Sequence, residues 1–173
     1  GYYPNGYTPF SYDITSYLRN DGTANQLAVF VENQQPSSRW YSGSGIYREV
    51  KLLITDLVHL DLYGIKIESP KLKEQRQSWV ETQLTSKVSN DGPQSVSVYL
   101  EQGIWYDGQQ LSDWQVTDSV VIEAGDKYSF QQAILIFQPL LWDIEHPHLY
   151  QLKTRLYKND ILVDEEEETF GYR

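Results

Sequence analysis

The run Ser37-Ser38-Arg39-Trp40-Tyr41-Ser42-Gly43-Ser44-Gly45-Ile46-Tyr47-Arg48 concentrates residue types suited to holding a polar, ring-shaped ligand. Arg39 offers a planar fork of donors that matches paired acceptors such as a carboxylate or vicinal hydroxyls. Trp40 and Tyr41 offer flat apolar faces on which a sugar ring can stack. Asn33, at the end of the preceding apolar run, adds an amide that both donates and accepts. The same residues also make a loop packed by its own aromatics, and residue types alone do not separate the two readings. Elsewhere the chemistry is thinner. His146-Pro147-His148 is too close and too stiff for a two-histidine metal motif, and His59 falls on the polar face of a strand. Gly43-Ser44-Gly45 precedes a strand rather than a helix, so it is not a phosphate loop. No Gly-x-Ser-x-Gly elbow occurs. Glu165, Glu166, Glu167 and Glu168 are tempting as acid–base groups. On a strand, however, neighbouring side chains point to opposite faces and cannot converge on one bond.

The 173 residues suffice for one ordinary domain or two small ones. With 40% hydrophobic residues a core forms without staples, and the absence of cysteine excludes disulfides and thiolate metal sites. No metal or cofactor site is expected. A reducing compartment fits that composition and so does a bacterial cell surface, so localisation stays open between them. The net charge of −10 lacks the clustered cations that a nucleic-acid surface needs. Apolar runs are far shorter than the roughly 20 residues of a membrane helix, so neither nucleic acid nor membrane is an expected partner. The N-terminus has no signal-peptide pattern, and the chain has no methionine, so it reads as an excised segment.

Period-two alternation in short runs, bounded by turn residues, dominates the chain. Residues 27–32, 46–54 and 58–67 read as strands, with Val58, Leu60, Leu62 and Gly64 on one face of the third. Asp13 is placed to cap a helix of one or two turns, ended by Asn20-Asp21-Gly22. Pro70 breaks the pattern. Beyond it, strands are expected over 79–88, 95–101, 116–122, 128–136, 149–157 and 161–169, with turns at Asn90-Asp91-Gly92-Pro93, Asp107-Gly108, Ala124-Gly125-Asp126 and Asn159-Asp160. The run at 116–122 is the least regular. That count and spacing predict an immunoglobulin-like sandwich. Trp105, Tyr106 and Trp114 fall in a loop of it, where exposed rings would make a sugar-binding platform. Residues 1–67 supply about three strands, half a sandwich with a bare apolar face.

Several of these segments carry a family resemblance. Asn5-Gly6-Tyr7-Thr8-Pro9-Phe10-Ser11-Tyr12-Asp13-Ile14-Thr15 and Leu27-Ala28-Val29-Phe30-Val31-Glu32-Asn33 resemble the sugar-binding jelly-roll domain of family-2 glycoside hydrolases. So does Ser38-Arg39-Trp40-Tyr41 with the strand that ends at Arg48. Leu141-Trp142, Pro147-His148-Leu149-Tyr150 and Phe170-Gly171-Tyr172-Arg173 resemble the close of the family's immunoglobulin-like domain. The wording is nearest to the β-galactosidase branch.

The resemblance implies an all-β chain: a partial jelly-roll β-sandwich segment over residues 1–68, then an immunoglobulin-like β-sandwich over 69–173. The parent would be a glycosidase acting on O-glycosyl bonds of a β-galactoside. This chain would lack the catalytic (β/α)₈ barrel and the first jelly-roll strands, and be inactive alone. The family's acid/base Glu follows an Asn, and no Asn-Glu dipeptide occurs here, so no catalytic residue is carried over. Asn33, Arg39 and Trp40 are the residues implied to hold the sugar, and Arg48 is implied to be structural, where a buried guanidinium needs a paired acceptor. Two alternatives stand beside this reading: an autonomous carbohydrate-binding module, and a spacer or homo-oligomer interface.

Overall fold

The computed structural model describes residues 7–32, 45–72 and 78–173. The chain forms two compact units, Gly1–Leu52 and Leu53–Arg173.

In the first unit the expected helix is a single 3-10 turn, Thr15–Tyr17. Asp13 is not its N-cap: that position is Ile14, which makes no side-chain cap bond, and Asp13 Oδ1 instead accepts a hydrogen bond from the Thr15 N–H at 2.8 Å from one residue further upstream. The turn that follows is closed reciprocally. Arg19 N–H donates to the Asn25 side chain at 2.8 Å, and Asn25 Nδ2 returns a bond to the Arg19 carbonyl at 3.1 Å. Gly22 takes φ +83 between them, in the left-handed region where glycine is unstrained. The strands expected at 27–32 and 46–54 do not form. Both stretches lack a ladder partner among the described residues, and their side chains are exposed.

The second unit is a two-sheet sandwich. Its strands are β1 (Val58–Glu68), β2 (Trp79–Asn90), β3 (Val96–Tyr106), β4 (Gln109–Gln110), β5 (Gln115–Val116), β6 (Val120–Ile122), β7 (Lys127–Phe137), β8 (Tyr150–Lys158) and β9 (Ile161–Phe170). One sheet runs β1-β2-β7 and the other β4-β3-β8-β9, with β5 and β6 also on β3. All strand pairs are antiparallel. This division of six long strands, three to each sheet, with the short ones on β3, is an immunoglobulin-like arrangement. It also has a tyrosine corner. The Tyr150 hydroxyl at the start of β8 accepts from Leu140 N–H at 2.7 Å and donates to the Leu140 carbonyl at 3.2 Å.

Three expectations differ from the structure. β1 was expected to close the first domain at residue 68, but it pairs with β2 and buries Val58 and Leu60 in the sandwich core. The compact unit begins at Leu53, upstream of the expected boundary between residues 68 and 69. Nor does β1 keep one face inward. Leu60 pairs with Val88 and Ile65 with Ser86, so five steps along β1 oppose two on β2. This bulge turns the strand over. Leu62 is 48% exposed, while Ile65 and Ile67 pack on the core instead. Tyr63 sits at φ 57 within it. At Gly64 an added Cβ would stand 2.6 Å from the Asp61 carbonyl oxygen. Asp61 pins the bulge by accepting from Ser89 Oγ and from Lys127 Nζ at 3.0 Å. Finally, the run expected at 116–122 splits into β5 and β6, because Thr117 leaves the ladder to bond Leu100 through its backbone and its hydroxyl.

The core is divided in two. One apolar cluster gathers Val80, Leu84, Ile104, Ile134, Tyr150, Leu152 and Tyr172. The other gathers Val58, Leu60, Val88, Val98, Leu100, Phe130 and Leu156. The inward positions between them are polar: Ser86 on β2, Gln102 on β3 and Thr154 on β8. Gln102 Nε2 donates to Ser86 Oγ and to Thr154 Oγ1, each at 2.9 Å, with all three residues buried.

Candidate functional site

Asn33, Arg39 and Trp40, the residues expected to hold a sugar, lie outside the described residues. Of the flanking stretch, Arg48 can be placed. Its guanidinium donates to the Tyr7 carbonyl at 3.2 Å and lies 5.2 Å from the Tyr47 ring centroid. The Tyr7 and Tyr47 rings meet edge to face. Arg48 thus ties two distant stretches of the first unit together, but from an exposed position rather than a buried one.

The second aromatic candidate is on the outer face of β3 and β8. Trp105 and Trp114 meet edge to face at 4.9 Å, and both are half-buried. Lys153 Nζ lies 5.3 Å from the Trp105 ring and the Arg155 guanidinium 4.3 Å from the Trp114 ring. Those cations are held in turn by Glu167 at 3.3 Å and Glu165 at 2.7 Å. Gly103 is the floor of this assembly, since a Cβ there would come within 2.7 Å of the Trp105 ring. Each indole has a face occupied by a cation, so this is a packed wall and not an open platform. Tyr106 faces the other way and joins a different group.

That group lines an open cleft of about 360 Å³ formed by Tyr106, Asp107, His146, Pro147, His148 and Leu149. The Tyr106 hydroxyl and His148 Nδ1 share a 2.6 Å hydrogen bond. His146 is turned to Asp143, 3.2 Å away. Asp107 is the one carboxylate among the lining residues. Glycoside hydrolysis uses a pair of carboxyl groups about 5–10 Å apart. The cleft can donate and accept hydrogen bonds but has no such pair.

The acidic run of β9 divides as alternation requires. Glu165 and Glu167 point outward to Arg155 and Lys153, while Asp164, Glu166 and Glu168 take the other face, Glu166 opposite Thr154. Burial, together with Asp164 and Glu168, pushes the Glu166 carboxyl up to about 7. Asp164 accepts a bond from the Leu60 N–H at 2.9 Å, which draws β1 toward β9.

Sequence reasoning missed the anchoring of residues 170–173. Tyr172 is buried in the first core cluster, its hydroxyl 2.7 Å from Thr82 Oγ1 on β2. Trp142 N–H donates to the Tyr172 carbonyl at 2.7 Å, and Arg173 lies over the Trp142 ring. Gly171 is needed there because a Cβ would press on Trp142 at 3.1 Å. The aromatic-glycine-aromatic pattern is a local signal for a close approach, but nothing local names Thr82 as the partner.

Comparison with known proteins agrees with this geometry. The sequence model of the family described as Glycosyl hydrolases family 2 matches residues 59–173. The beta-galactosidase BoGH2A of Bacteroides ovatus is 36% identical over 176 residues, covering 100% of this chain and 20% of that protein. A putative beta-glucuronidase of Formosa agariphila is 30% identical, covering 98% of this chain and 15% of that protein. Among solved structures, a family-2 member from Bacteroides cellulosilyticus superposes with a TM-score of 0.61 at 25% identity, over 69% of this chain and 16% of the other. The chain spans a fifth or less of these relatives. With the match over most of its length, and the sandwich built as in those structures, the chain belongs to glycosyl hydrolases family 2.

Proposed function

We propose that this chain is a non-catalytic part of a family-2 β-galactosidase, which braces the catalytic barrel and helps to position the sugar. The observation that carries the reading is the alignment of the whole chain with a beta-galactosidase of which it spans 20%. In this reading residues before Leu53 close a sugar-binding jelly-roll domain, and the sandwich that follows is the family's immunoglobulin-like domain. The absence of any Asn-Glu dipeptide supports an inactive role for the chain alone. Asn33, Arg39 and Trp40 contact the non-reducing sugar at the rim of the barrel's pocket. Small misplacements of a bound reactant cost large factors in rate, so rim contacts matter without touching the reacting bond.

The test is kinetic, in the longer protein. Arg39→Ala is expected to lower kcat/KM for a chromogenic β-galactoside by about tenfold to a hundredfold, through lost positioning. Unchanged kinetics would remove Arg39 from the site. A wild-type protein that cleaves no β-galactoside, or a 173-residue chain that cleaves one by itself, would sink the reading as a whole.

A further inference from the structure

Sheet edges expose unpaired backbone groups, and most proteins block them with charge, bulges or very short strands. Three of the edges here are blocked in those ways. β9 carries Asp164, Glu165, Glu166, Glu167 and Glu168 in succession. β4 is two residues long. β1 is bent by its bulge and carries Asp61, Lys66 and Glu68.

β7 has none of these devices. It pairs with β2 over its full eleven residues without a register break, and it ends its sheet. From Tyr128 to Gln138 there is no charged side chain, in a chain of net charge −10. Leu135 is 48% exposed and Phe137 72% exposed. The hydrogen bonds flanking the strand show which groups are free. Asn90 N–H donates to the Asp126 carbonyl at 2.9 Å, and Gln138 N–H to the Ser78 carbonyl at 3.0 Å. Even-numbered residues therefore face β2, and alternation turns the N–H and C=O of Lys127, Ser129, Gln131, Ala133, Leu135 and Phe137 outward. Among the described residues no strand pairs with that edge.

We propose that β7 is a self-association edge: it pairs antiparallel with β7 of a second copy, about a two-fold axis at Gln132. That register sets every outward residue opposite another outward residue. Gln131 meets Ala133, Ser129 meets Leu135, and Lys127, whose ammonium is held by Asp61, meets Phe137. The strand's one charge never meets its like, whereas two copies of a −10 chain repel across most other surfaces. The uncharged edge is thus the face on which a second copy can approach. A strand-on-strand contact is small beside the roughly 1,600 Å² of a standard interface, so the dimer is weak, with a dissociation constant on the order of 100 µM.

Sedimentation of the 173-residue chain from about 10 µM to 1 mM tests this. The wild type should pass from monomer to dimer across that range. Leu135→Lys and Ala133→Pro should each raise the dissociation constant about tenfold or more. The proline is placed where the N–H points away from β2, so the β1-β2-β7 ladder stays whole. Gln131→Cys combined with Ala133→Cys should give a disulfide-linked dimer on oxidation. A chain that stays monomeric throughout overturns the proposal. So does a dimer that neither substitution weakens, which would assign association to the exposed apolar residues of the first unit instead.

Discussion

Leu27, Val29 and Val31 alternate with Ala28, Phe30 and Glu32 much as Val80, Thr82 and Leu84 alternate with Glu81 and Gln83. The second set lies between β1 and β7, and Val80, Thr82 and Leu84 are buried. The first set has no ladder partner among the described residues, and Leu27, Val29, Phe30 and Val31 are all exposed. The same holds for Ile46, Val50, Leu52 and Ile54 against the strands of the second unit. Alternation states which face a strand would bury. Whether a strand exists depends on neighbours that take its backbone groups and cover its apolar face, because one or two strands alone are marginal in water.

The largest expected effect tests that contrast directly. Leu152→Ala, in the first core cluster, should destabilise the second unit by about 2–5 kcal/mol in a urea titration. Phe30→Ala should change stability by no more than about 0.5 kcal/mol. Equal costs would mean that the first unit packs its hydrophobics as well as the second, and the contrast would be gone. A smaller effect sharpens the comparison at the strand that opens the sandwich. Gly64→Ala forces a Cβ against the Asp61 backbone, and should cost about 1–3 kcal/mol as an overpacking change. No loss on thermal melting would mean that the bulge is slack and β1 is only loosely committed to the core.

The smallest effect is electrostatic. The Glu166 carboxyl is raised in the folded state to about 7 from its ordinary 4.5. The folded protein therefore binds the proton more tightly, and stability falls as pH rises from about 4.5 through 7. Glu166→Gln should leave stability near pH 4.5 unchanged. Near pH 8 it should raise stability by on the order of 1 kcal/mol, after allowing for partial solvent screening. Parallel pH profiles for the variant and the wild type would show that Glu166 carries no such penalty.

The long strands β2, β3, β7, β8 and β9 are legible in the sequence because each alternates and is bounded by turn residues, although β3 runs on to Tyr106, past the expected end at 101, and β4 is not foreseen. Asp107-Gly108 and Asn159-Asp160 adopt the positive φ values that tight hairpins require. The face reversal in β1 is not legible, since it depends on Asp61 finding Ser89 and Lys127 far along the chain. The split at Thr117 is hidden for the same reason, its partner Leu100 lying on another strand. Of the site, Arg48 is placed on a tyrosine carbonyl that its own neighbourhood does not announce. The wall of Trp105 and Trp114 is legible as aromatic, but the cations that cover it come from β8, some 40 residues onward. Asn33, Arg39 and Trp40 rest on residue type and resemblance alone.

The buried amide of Gln102 has a consequence for how the two sheets find each other. Apolar side chains attract without direction, so two greasy faces can meet in several alignments of similar energy. Gln102 admits one, in which Ser86 of the facing sheet and Thr154 of its own arrive together at hydrogen-bond distance. Any sliding of one sheet over the other strands an amide in a dry interior. The glutamine acts as a dowel between two boards: it adds little to the grip, and it decides where they are allowed to rest. Leucines, isoleucines and valines on either side are then free to be exchanged for one another during evolution while the alignment stays the same.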